Sequence, residues 1–362
     1  MSASSPAPAP TAELRPQAPA GVARRAGPGR MVRRLGGPQD ARSALGGVSV
    51  MVAAIVFCLA AVNEYQLTVG INVGIYAIAA LGLTVVAGRA GQLALGQAGF
   101  MAVGAYMVAY STLNWGWPFL LALAAGTVLA FVLGLLLGWI ALRLEGNYLA
   151  MATLAFGAII FGVLLIDTPL GGASGLFGIP GISPLGSELG TPLARYVFVW
   201  VLVGLAILVC WRFARGRAGQ ELAAMRDDAL TATTLGVNIT YRKIQAFALS
   251  AILGGVAGGI MAANEQVIDP TLFRPLISFQ IFLMIVIGGL GSLGGAVAGA
   301  ALVTWLVELV PGTGDSAYVA LGVVVIVFMA LVPGGLAALA TSALRLIGKD
   351  PGGPRRARER PS

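Results

Sequence analysis

The stretch GRAGQLALGQAGFMAVGAYMVAY, residues 88–110, holds a single charge, Arg89, yet it is interrupted by Gly88, Gly91, Gly96 and Gly99 and by two amides, Gln92 and Gln97. Apolar runs long enough for smooth helices flank it. In hydrocarbon every backbone N–H and C=O needs an internal partner, so a helix is broken at membrane depth only where protein covers the break or water reaches it. The stretch therefore reads as the end of one span near residue 87, a glycine-rich interruption, and a new span from about residue 97.

Whether this lies in a membrane is settled by composition. Hydrophobic residues make up 57% of the 362 and charged ones 10%, against roughly 45–50% and about 25% in soluble domains. Apolar runs of about 18 residues recur, and each is long enough to cross a hydrocarbon core of about 30 Å as a helix. The expected fold is an all-α, polytopic transmembrane helix bundle of about ten spans. They fall near residues 45–63, 66–87, 97–113, 117–141, 148–166, 193–213, 244–263, 275–288, 294–310 and 316–333. Residues 1–44, rich in Pro, Ala, Gly and Arg, are expected to be a disordered basic tail, 45–335 the transmembrane domain, and 336–362 a second basic tail. The long basic head and the lack of a small-residue cleavage site argue against a cleaved signal peptide.

Short basic connections belong in the cytoplasm. Seven arginines between Arg15 and Arg42, the loop Arg212 to Lys243, and a tail with Arg345, Lys349 and Arg360 all land there if both termini are cytoplasmic. Glu64, Asp167, Glu188, Glu265, Asp269 and Asp315 then lie outside. The net charge of +8 sits in tails and one loop instead of an aromatic-laced stripe, so nucleic-acid binding is not indicated; the tails serve topology or anionic lipid headgroups. With no histidine, and with Cys58 and Cys210 inside apolar spans, neither a disulfide framework nor a histidine-based metal site is expected. No phosphate-binding G-x-x-x-x-G-K-[ST] occurs, so no catalytic residue and no cofactor is assigned.

Glycines at Gly254/Gly258 and Gly255/Gly259 have the small-x-x-x-small spacing of close helix packing. Gly88, Gly91 and Leu93 recur as Gly288, Gly291 and Leu293, each time at the inner end of a span; duplicated halves and coincidental likeness of glycine turns both explain the echo. Gln92 and Gln97 need hydrogen-bond partners, and either cap broken backbone or line a wet path. Apart from Glu308 the spans hold almost no ionisable group, which leaves ion-coupled transport without a relay and places the energy source on another chain. The loop RFARGRAGQELAAMRDDALTATTLGVNITYRK, residues 212–243, offers one: a short amphipathic helix with Asp227 and Asp228, ended by a Gly236 turn and suited to docking on a partner.

Five blocks resemble the LivM-type permeases of branched-chain amino acid ABC importers. They are AGQLALGQAGFMAVGAY (90–106), GNYLAMATLAFG (146–157), GGASGLFGIPG (171–181), RDDALTATTLGVNITYRKIQAFALSA (226–251) and IGGLGSLGGAVAGA (287–300), in the family's order. The resemblance implies a subunit of the bacterial cytoplasmic membrane. Its partners would be a LivH-type second permease, two cytoplasmic ATPases and an external solute-binding protein. It implies that the segment with Asp227, Asp228, Thr231, Ala232 and Gly236 couples ATPase motion to the helices. Gln97 stands where the family commonly has histidine and Ala158 where many members have glutamate, which bears on cargo. The expected activity is alternating access without catalysis, with Gln92, Gln97 and Tyr106 along the path and outer loops 167–192 and 264–275 receiving the binding protein. Urea, amide or sugar cargo is the nearest alternative; a channel or carrier acting alone is the other.

Overall fold

The computed structural model describes residues 63–140, 144, 146–184, 186, 188–309, 322 and 336. The expected first span at 45–63 and tenth at 316–333 and both basic tails lie outside the described residues, apart from Asn63, Gly322 and Leu336. The helices are α1 (Glu64–Leu83, prolonged by a wide π-helical turn Thr84–Arg89), α2 (Gln97–Trp115), α3 (Phe119–Ile140), α4 (Asn147–Ile166), α5 (Pro192–Arg215), α6 (Arg217–Asp227), α7 (Ala229–Thr234), α8 (Ile239–Glu265), α9 (Pro275–Gly288) and α10 (Leu293–Leu309).

Each of the eight expected spans among the described residues coincides with a helix. The largest shift is at α8, which starts at Ile239 because the Asn238 side chain accepts the Tyr241 N–H at 3.0 Å and caps the helix early. The segment expected between spans at 214–243 is thereby shortened to 216–238. Five of these helical segments, Glu64–Arg89, α3, α4, α5 and α8, are long and apolar enough to cross a membrane. Helix α2 has the length, 19 residues, but is diluted by Gln97, Tyr106, Ser111, Thr112 and Asn114. Helices α9 and α10, at 14 and 17 residues, rise only about 21 and 26 Å.

The centre of the bundle is α1 and α8, each with 89% of its apolar window buried, against 22% for α4. Small residues allow this. A β-carbon on Gly104 of α2 would lie 2.1 Å from the Gly255 oxygen of α8, and one on Gly258 would lie 1.8 Å from the Met101 oxygen, so these backbones touch directly. The small-x-x-x-small reading of α8 is therefore correct. Helices α9 and α10 form a hairpin packed in the same way through Gly288 and Gly295. At the opposite end from α6 and α7, β1 (Leu176–Phe177) and β2 (Val267–Ile268) pair antiparallel with Leu176 opposite Ile268, bringing the two expected outer loops together.

Candidate functional site

The break at residues 88–96 is stitched from several helices. The Thr84 hydroxyl donates to the Ala80 oxygen at 2.8 Å, and α1 then widens, so that Ala90 N–H reaches the Val85 oxygen and Gln92 N–H the Val86 oxygen. Gly91 turns the chain at φ 65°. A helix N-terminus leaves donors without partners along the chain. Here Leu95 N–H donates to Thr153 Oγ1 of α4 at 2.8 Å and Ala98 N–H to Ser278 Oγ of α9 at 2.9 Å. Protein covers the break from Ala94 to Gly96, with Leu95 half-buried, while Gly91 and Leu93 are exposed.

Gln97 is 2% exposed and ties three helices. Its Nε2 donates to the Ala79 oxygen of α1 (3.1 Å) and the Ser250 oxygen of α8 (3.3 Å), while its Oε1 accepts from Ser250 Oγ (2.9 Å). Tyr106, nine residues on, is two and a half turns away and so faces the opposite side of α2. It is 3% exposed, stacks edge-on to Phe273 at 6.2 Å, and its hydroxyl has no hydrogen-bond partner among the described residues. Gln92 sits half-buried in the break. The three expected path residues thus occupy separate environments, and Gln97 and Tyr106 do not share a lining. Thr153, Ser250 and Ser278 were not singled out from sequence; their only mark was a lone hydroxyl in an apolar span.

The second cluster is the segment 216–238. Helix α6 buries Leu222 and Met225 and is fastened to the start of α8, where Arg242 Nε donates to Glu221 at 2.6 Å and Arg242 Nη1 to Gln245 at 2.7 Å. That bond holds the Glu221 carboxyl below the usual carboxylate range. Asp228 caps α7: its Oδ1 accepts from Leu230 N–H (3.0 Å) and Thr231 N–H (3.2 Å), and its Oδ2 accepts from the Thr231 hydroxyl. The hydroxyl bond, then the Thr231 N–H, lower the Asp228 pKa. Ala232 is the buried residue of α7. At the other end Gly236, φ 82°, donates to the Thr233 oxygen while Val237 N–H reaches the Ala232 oxygen, the paired bonds of a left-handed helix stop.

Asp228, Thr231, Ala232 and Gly236 therefore build the turn, and Asp227 stands exposed beside it. What the turn presents outward is Leu230 and Leu235, 77% and 71% exposed. Sequence reasoning passed over both, although a leucine in a polar run outside the spans was a usable signal.

A bundle of apolar helices around a glycine-rich break, with a capped helical turn displayed at one end, is a polytopic membrane protein. The chain belongs to the family described as branched-chain amino acid transport system / permease component, whose model matches residues 65–340. It is 30% identical over 349 residues to the high-affinity branched-chain amino acid transport system permease protein LivM of Salmonella typhimurium, covering 88% of this chain and 82% of that one. LivM of Escherichia coli K12 is likewise 30% identical, over 87% and 82% of the two chains. The LivH permease protein of E. coli K12 is 26% identical over 65% and 81%. No solved structure matches. The chain is a multi-pass protein of the bacterial cytoplasmic membrane.

Proposed function

We propose that this chain is the LivM-side membrane subunit of an ATP-driven importer of branched-chain amino acids, paired with a LivH-type subunit, two cytoplasmic ATPases and an external binding protein. Likeness to LivM over 88% of the chain, against 65% for LivH, supports the choice of side. The observation that carries the transport reading is α7: a rigidly capped turn that exposes two leucines where the charge pattern assigns the cytoplasm. An unpartnered apolar tip on a polar segment fits a groove on another protein.

In this reading the ATPases push on Leu230 and Leu235, and α6 carries the motion to the bundle. Asp228, Thr231, Ala232 and Gly236 keep the tip stiff. The binding protein meets the paired outer loops, where Phe177 and Val267 stand opposite one another at 63% and 38% exposure. Of the path candidates, Tyr106 supports a passage best, because its buried hydroxyl has no hydrogen-bond partner among the described residues, whereas every side-chain polar atom of Gln97 is engaged by its neighbours.

The experiment is uptake of radiolabelled leucine into proteoliposomes holding all four kinds of subunit. Uptake is expected to need ATP, both ATPases and loaded binding protein. Uptake by this chain without the ATPases sinks the reading, and a complex that hydrolyses ATP in response to urea, amide or sugar binding proteins but not to a leucine-loaded one overturns the cargo alone.

A further inference from the structure

The two glycine blocks that echo each other in sequence stand against each other in space. A β-carbon on Gly88 would lie 2.6 Å from both the Cα and the N of Gly291, and one on Gly291 would lie 3.5 Å from the Gly88 oxygen. Gly91 and Gly291 turn the chain at φ 65° and 89°. Backbone packed on backbone has no flexible side chain to absorb a displacement, so one break cannot move far without the other.

Arg226 of α6 reaches the first of these two blocks, and through Gly88 it bears on the second. Its Nη1 donates to the Gly88 carbonyl, which lies in the last turn of a helix where carbonyls lack partners along the chain. Its aliphatic stem covers Gly91, with Cγ 3.0 Å from where a β-carbon there would be. Arg226 as a residue is exposed. Arg226 is also two residues before Asp228, the cap of α7, so a displacement of the displayed turn pulls on it directly.

We propose that Arg226 is the positioning residue that joins the α6–α7 segment to both glycine breaks, so that segments 84–96 and 286–296 answer to the cytoplasmic turn as one unit. The functional half of this rests on the coupling reading given above; the structural half does not.

Two replacements separate its features: Arg226→Met keeps the stem and removes the donor, and Arg226→Lys keeps a charged donor. In the assembled complex, hydrogen exchange is followed in 84–96 and 286–296 with and without MgATP. Wild type should show an ATP-dependent change in both segments together; Arg226→Met should lose it in both, with leucine uptake down on the order of tenfold and ATP hydrolysis retained, as expected from removing one charge-assisted bond. Arg226→Lys should restore a large part. The link is overturned if the ATP-dependent change survives in Arg226→Met, if Met and Lys behave alike, or if only one segment responds in wild type. On the isolated full chain, Arg226→Met should speed exchange at Ala90, Gln92, Gly289 and Ser292 about tenfold; unchanged rates there overturn the link as well. A wild-type complex whose ATPases leave 227–237 unprotected overturns the coupling reading instead, and the isolated-chain rates still decide the link.

Discussion

The break at 88–96 and the segment 216–238 are both glycine-bearing interruptions between apolar helices, and the protein treats them in opposite ways. At the break, donors are taken up by Thr153 and Ser278 from other helices and Gln97 by α1 and α8. In the segment 216–238 α7 closes its own ends with Asp228 and Gly236, and its tip is left bare. The first region is held by its neighbours; the second is closed by its own residues, which leaves Leu230 and Leu235 exposed.

Glycines give the sharpest test of this difference. Gly258 has no room for a β-carbon, whereas Gly236 has open space around it but a left-handed backbone. Gly258→Val should force α2 and α8 apart and cost about 3 kcal/mol or more, seen as loss of monodisperse protein on size exclusion. Gly236→Ala should cost only about 1–2 kcal/mol, confined to the turn, with the bundle's melting temperature unchanged. If the two variants melt alike, close approach is not what distinguishes the regions.

Next in size is the amide. Gln97→Ala takes the acceptor from the buried Ser250 hydroxyl and a second donor from two helical carbonyls, and should lose about 1–3 kcal/mol. Gln92→Ala, in the half-buried break, should lose less than about 0.5 kcal/mol. Thermal unfolding of the purified chain compares them, and a Gln97→Ala protein as stable as wild type would show that the tie between α1, α2 and α8 does not hold the bundle.

These residues also mark what was legible in the sequence. Eight spans among the described residues were readable because apolar length is a local property of the chain. The small-x-x-x-small glycines of α8 were readable for the same reason, and so was the Gly236 stop. What sequence left open at Gln97, cap or path, depended on Ser250 lying 153 positions away. The echo of Gly88 and Gly288 was visible as pattern, but that the two blocks touch is a tertiary fact. Leu230 and Leu235 stand out as leucines in a polar run, but that the folded turn turns both of them outward is a fact of tertiary structure.

A third comparison sets stability against assembly. Leu230→Asp with Leu235→Asp alters only exposed positions and should change chain stability by less than about 0.5 kcal/mol. The same double variant should lose co-purification with the ATPases. A complex that assembles normally with both leucines replaced would show that the bare face of α7 is not the docking surface.

The smallest effect is one of pH and concerns the cap that stiffens α7. The Asp228 carboxyl is held below its ordinary pKa by the Thr231 hydroxyl and by backbone N–H groups. A carboxylate of this kind adds stability above its unfolded pKa and gives it up as pH falls through the lower, folded value. The cap should therefore be constant through neutral pH and fail only in acid, below about pH 4. Asp228→Asn keeps a capping oxygen that does not titrate. Taking the ratio of Leu230 and Thr231 amide exchange between wild type and Asp228→Asn cancels the intrinsic pH dependence of exchange. That ratio should be flat from neutral pH down through the upper carboxylate range, then rise as the wild-type cap protonates. A rise near neutral pH would place the titration on another group, and a ratio flat into strong acid would mean that the carboxylate does not hold the turn.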